Sequence, residues 1–131
     1  MKGSLPQILI FAFDDWLSNQ LREAAAERRW LIHEVRRLDS FRTAIAEVRT
    51  RVIVVQLERA EAGEIYAAIV QLLKMQPETP IVIVSDTKVP EVERAEWAAR
   101  WFDLGARFVM FPPLTRAILE DAVVGLMGNA E

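Results

Sequence analysis

Short apolar runs alternate with longer segments of helical periodicity from one end of the chain to the other. Residues 7–13 (QILIFAF) are apolar without strict alternation, the pattern of a strand covered on both faces. Residues 17–29 follow with Leu17, Leu21, Ala24 and Ala25 at helical spacing. Asp14 or Asp15 is placed to cap that helix, because a short acidic side chain accepts the free N–H groups of a first turn. A second strand is predicted over 30–35 (WLIHEV) and a second helix over 40–49, with Ser40 or Asp39 as its cap. The most β-branched stretch, 52–57 (VIVVQL), predicts a third strand. A helix over 61–75 ends before Pro77 and Pro80, and 81–85 (IVIVS) is a fourth strand. Pro90 suits the first turn of a long helix over 90–104, and Gly105 suits its end. Within that helix Phe102 and Leu104 are expected to face the core. Residues 107–111 (RFVMF) predict a fifth strand. A last helix over 115–127 carries Ile118, Leu119, Ala122, Val123 and Leu126 as its buried stripe, and Gly128 stops it.

Five strand–helix units in this order predict an α/β fold. Right-handed crossovers place helices on both faces of a five-stranded parallel, doubly wound sheet, giving a three-layer sandwich. The whole chain, 1–131, is expected to be one such domain with a core of about 6–128, without linker or repeat. In such sheets a ligand crevice lies at the carboxyl ends of the strands. The residues around 12–15, 34–36, 56–59, 85–87 and 111–113 are therefore the ones to search for chemistry.

Composition narrows the chemistry further. The 131 residues include no cysteine, which excludes disulfides, thiolate metal sites and a cysteine nucleophile, and fits a reducing cytoplasm. The net charge is −3, with no basic run of the kind a nucleic-acid binder carries, so direct nucleic-acid binding is not expected. No apolar run approaches the ~20 residues of a membrane span, and neither a membrane partner nor a secretion signal is expected. There is no GxGxxG and no Walker A loop, and five glycines leave little backbone with which to cradle a phosphate. The single histidine, His33, lies within a strand without an evident partner, so neither a metal site nor a catalytic triad is expected.

Three stretches carry a resemblance. ILIFAFDDWLSNQLREAA, PETPIVIVSD and GARFVMFPPL resemble the first strand and helix, the fourth strand, and the fifth strand with its following turn of response-regulator receiver (CheY-like) domains. The resemblance implies the flavodoxin-like, receiver-type version of the sandwich and a role in two-component signal transduction. It also implies where phosphorylation chemistry would sit. In the gapless register the metal-binding acids fall on Ala12 and Phe13, the phosphoacceptor aspartate on Gln56, the hydroxyl residue on Ser85 and the lysine on Pro112. The aromatic switch position falls on Val109. Only Ser85 keeps its family character. Asp14 and Asp15 are a displaced acidic pair, and Glu58 is the carboxylate nearest to Gln56 in sequence.

Without an acceptor carboxylate, a metal site and a lysine, the developing charge of phosphoryl transfer has no support. The expectation is a non-enzymatic pseudo-receiver without metal or cofactor, acting through a protein partner or as a homodimer. The resemblance places the partner surface on the fourth helix, fifth strand and fifth helix, with Trp97, Trp101, Val109 and Phe111 as its candidates. The alternative is a sensor of a small molecule in the vacated pocket lined by Ala12, Phe13, Gln56, Ser85 and Pro112. A pocket plugged by Phe13 favours the interaction module, and an open one favours the sensor.

Overall fold

The computed structural model describes residues 5–46, 50–85 and 89–129, with the side chains of Arg59 and Asn129 excepted. Strand β1 (Gln7–Phe11) leads to α1 (Trp16–Arg28), β2 (Leu31–Val35) and α2 (Leu38–Ala44). Then come β3 (Thr50–Leu57), a 3-10 turn (Arg59–Glu61), α3 (Ala62–Met75) and β4 (Ile81–Ser85). A second 3-10 turn (Glu91–Glu93), α4 (Arg94–Leu104), β5 (Phe108–Met110) and α5 (Arg116–Asn129) complete the order. All pairings are parallel and the strand order is β2-β1-β3-β4-β5. This is the predicted doubly wound three-layer sandwich.

The side-chain period of two divides the core cleanly. Leu9, Phe11, Ile53, Val55, Ile81 and Ile83 face α2, α3 and α4, where they meet Phe41, Ile65, Ile69, Leu72 and Trp101. Ile8, Ile10, Val52, Val54, Val82 and Val84 face α1 and α5, where they meet Leu17, Leu21, Leu119, Val123 and Met127. Both faces of the central strands are thus buried, which is why those strands read as unbroken apolar runs.

Several boundaries differ from the sequence expectation. Strand β1 stops at Phe11, and β3 begins two residues early at Thr50, whose hydroxyl accepts a hydrogen bond from the Gln7 carboxamide at 3.2 Å. Helix α2 starts at Leu38 with Arg37 as its cap residue, so neither Ser40 nor Asp39 caps it, and 47–49 lie outside the described residues. The segment 90–104 is helical only from Arg94, because its first turn is 3-10. Helix α5 runs through Gly128 to Asn129. Gly105 does end α4: its φ is 127°, and its N–H donates to the Trp101 and Phe102 carbonyls at 3.1 and 3.0 Å.

Three side chains correct the expected core. Phe102 and Ile118 are exposed, while Trp101 is buried at 2% relative exposure. Residues 101 and 102 lie 100° apart on a helix, so one face cannot take both. The sheet takes the larger ring.

Candidate functional site

The carboxyl ends of β1, β3 and β4 and the turn after β5 surround a cleft of about 510 Å³. Its lining includes Phe13, Asp14, Trp16, Gln56, Glu58, Ser85, Pro112, Pro113 and Leu114. A hollow of about 590 Å³ at the opposite end of the sheet is lined by the start of β3, the segments before β4 and β5, and Leu126 of α5. The strand-end cleft is the one that doubly wound architecture sets aside for ligands.

Gln56 organises the cleft floor. Its Oε1 accepts the Phe13 N–H at 3.0 Å, and its Nε2 donates to Asp14 Oδ1 at 3.4 Å. The same Asp14 oxygen accepts the Trp16 N–H at 3.0 Å, which satisfies a donor at the start of α1. One carboxamide therefore ties the end of β3 to the loop after β1. A carboxylate at this position could accept but could not donate.

The sequence-predicted residues divide as follows. Ala12 does not line the cleft; it is buried in the α1/α5 core, with its N–H bonded to the Val35 carbonyl at 3.1 Å. Phe13 lines the cleft but is 43% exposed, so it forms a wall and does not plug the space. Chain direction explains the pair: β1 ends at Phe11, so the alternation that would have turned residue 13 inward no longer applies. Of the displaced acids, Asp14 and Glu58 line the cleft. Asp15 instead pairs with Arg36, which also reaches Glu34 at 3.5 Å. The hydrogen bond that the Arg36 guanidinium donates to Asp15 is the main influence holding its pKa above the ordinary value, with burial opposing it. Among the described residues no group of three or more His, Cys, Asp or Glu is placed to hold a metal ion. Asp14, its inner oxygen already engaged by two N–H donors, and the amide of Gln56 do not make the oxygen-rich anionic cage that magnesium requires.

Ser85 is 1% exposed and accepts a hydrogen bond from the Trp97 indole N–H at 3.1 Å. This contact joins the cleft to α4 and was not legible in the sequence, although the alignment of Ser85 had marked one of its ends. Trp97 meets Trp101 edge-on at 6.2 Å, and Trp101 meets Tyr66 of α3 edge-on at 5.5 Å. Trp101 belongs to the core, and the half-buried Trp97 is tied to Ser85; both border a separate hollow of about 390 Å³ with Ala62, Tyr66 and Arg100. Val109 is half-buried against the α2–α4 core, and half-buried Phe111 lies 5.1 Å beneath the Arg94 guanidinium. The exposed apolar side chains in this part of the molecule are Val92, Phe102, Phe108 and Ile118. Pro112 and Pro113, joined by a cis peptide, contribute apolar surface where the resemblance places a lysine.

No family model matches the chain, and no curated protein matches it. Solved structures do. The signal receiver domain of a putative LuxO repressor protein from Vibrio parahaemolyticus superposes with a TM-score of 0.77 at 15% identity, over 97% of this chain and 93% of that one. A two-component response regulator from Clostridium difficile gives 0.73 at 15% identity, over 94% and 96%. A member of a family of streptococcal redox sensors that evolved from two-component response regulators gives 0.70 at 15% identity, over 95% of this chain and 52% of that one. No helix among the described residues is long and apolar enough to cross a membrane. With its strand order, its two-sided core and these neighbours, the chain has the response-regulator receiver (CheY-like) fold.

Proposed function

We propose that the chain is a receiver-type signalling domain that works without an aspartyl phosphate and without catalysis of its own. The observation that carries this reading is Gln56. It stands near the end of β3, and both ends of its amide are engaged, with Phe13 and Asp14. A carboxamide offers no anionic oxygen to attack phosphorus. The absence of a lysine at Pro112 removes the charge that would stabilise the transferred group. Incubation with magnesium and acetyl phosphate, followed by intact mass measurement, is expected to leave the mass unchanged. A phosphate adduct on the wild-type chain overturns the proposal.

The open cleft favours a second reading of what the site does instead. Phe13 leaves it unplugged, and its walls are apolar with a few fixed polar groups, the usual character of a small-molecule site. In this reading the cleft takes a ligand and the domain passes the signal to a protein partner. The descent of the streptococcal redox sensors from response regulators offers a parallel for such a change of input. Partner binding then rests on the exposed Phe102, Phe108 and Ile118 in place of the tryptophans. Pulldown from the native cell with Phe102→Ser and Phe108→Ser is expected to lose partners that Trp97→Phe retains.

A further inference from the structure

The charge and wall chemistry of the strand-end cleft specify a class of ligand. Two carboxylates, Asp14 and Glu58, line it. Among the described residues that line it there is no Lys, Arg or His. The nearby acid Asp15 has its own guanidinium, but that pairing is with Arg36, which is not part of the lining. Among the described residues an anion entering the cleft meets two like charges and no cation, a combination that disfavours it on Coulombic grounds. A neutral ligand makes no use of the two carboxylates.

The remaining surface is apolar and partly aromatic: Phe13 and Trp16 on one side, Pro112 and Leu114 on the other. Aromatic faces attract organic cations through their quadrupoles, and apolar walls take up the carbon body that carries the charge. Ser85 adds a directional group. It is almost fully buried yet lines the cleft, and its oxygen, which accepts the Trp97 indole N–H, keeps a second lone pair that can accept an N–H of a cationic ligand.

We propose that the cleft binds a small organic cation, an ammonium or amidinium group on an apolar or aromatic body, with the charge held between Asp14 and Glu58. The proposal rests on the reading of the cleft as a ligand site that does not take up phosphate, and it names what that ligand is.

The test uses the full chain labelled with nitrogen-15 and four probes: 2-phenylethylamine, 2-phenylethanol, 3-phenylpropionate and magnesium chloride. The amine is expected to shift the Gln56 side-chain amide and the Trp16 indole resonances in a saturable manner. It is expected to bind at least about tenfold more tightly than the alcohol, with the carboxylate weaker still. Glu58→Gln and Asp14→Asn are each expected to weaken the amine about tenfold, with circular dichroism unchanged. Glu58 is the cleaner of the two, since Asp14 also serves the start of α1. Equal binding of amine and alcohol overturns the proposal. So do an amine affinity unchanged in Glu58→Gln, the same shifts with magnesium alone, or no amine binding up to its solubility limit. The acetyl phosphate experiment separates the two levels. An adduct defeats the phosphate-independent reading itself, whereas no adduct together with no amine binding defeats the cation alone.

Discussion

Removing the indole N–H of Trp97 tests the contact between the cleft and α4. In Trp97→Phe an aromatic ring still packs beside Trp101, while the 3.1 Å hydrogen bond to Ser85 Oγ is lost. A neutral hydrogen bond contributes about 0.5–1.5 kcal/mol net, and a buried partner left unpaired costs about 1–3 kcal/mol. Ser85 is 1% exposed, which points to the upper range, but it borders an open cleft from which water can reach its hydroxyl. The coupling should therefore lie near 1 kcal/mol. The smaller ring adds its own loss of packing, so Trp97→Phe alone should cost about 1–2 kcal/mol. A double-mutant cycle with Ser85→Ala isolates the pair, because the double variant removes both donor and acceptor. Urea denaturation of the four proteins, with constant slopes as the check on two-state behaviour, gives the free energies. A coupling energy below about 0.3 kcal/mol, the ordinary scatter of additivity, refutes a hydrogen bond that matters to the fold.

Other perturbations probe other parts of the structure. Gly105→Ala places a Cβ 3.3 Å from Leu73 Cδ1 at a φ of 127°, so a loss of about 1–3 kcal/mol is expected in denaturant melts. Trp101→Ala is expected to cost about 3–5 kcal/mol, whereas Phe102→Ser, one residue along, should stay within about 0.5 kcal/mol; the reverse order would contradict the burial of Trp101. Gln56→Glu keeps an oxygen for the Phe13 N–H but sets a second carboxylate beside Asp14, which raises the new group's folded pKa above its unfolded value. Its deficit against wild type should therefore be small below about pH 4 and grow to about 1–2 kcal/mol as pH rises towards 7, read from melting temperatures across that range.

The architecture was legible because it rests on periodicity. The unbroken apolar runs of β1, β3 and β4 correspond to strands buried on both faces, and the helical stripes on Leu17, Leu21, Leu119 and Val123 reach the core as expected. What the pattern did not resolve is rotation within one turn. Trp101 and Phe102 are both large and apolar, and only the position of the α4 axis over the sheet decides which of them is covered. Ile118 likewise lies at the edge of its helical stripe and is exposed, while Leu119 is fully buried. The candidate site was legible as a set of strand ends, but not in which side chains line the cleft. The gapless register puts Ala12 and Phe13 at the acid positions, whereas β1 stops at Phe11 and it is Phe13 and Asp14 that line the cleft. The Ser85–Trp97 contact spans two elements whose relative placement no local pattern encodes.

These details bear on the proposal that the chain works without an aspartyl phosphate. A pocket that had merely lost its function would be free to collapse or to fill with an apolar side chain, since nothing would hold its polar groups in place. Here the amide of Gln56 uses both its acceptor and its donor, towards Phe13 and Asp14, and Asp14 in turn satisfies the start of α1. The hydroxyl of Ser85 is engaged by an indole from α4. Ionised aspartate at 56 could not supply the donor, and with its shorter side chain it would stand further from the Phe13 N–H. Gln56 thus supports the geometry around the cleft. Polar groups fixed in this way around an open, apolar-walled space are a preorganised site, in which little ordering cost is left for a ligand to meet. That favours the proposed reading of the cleft as a ligand site.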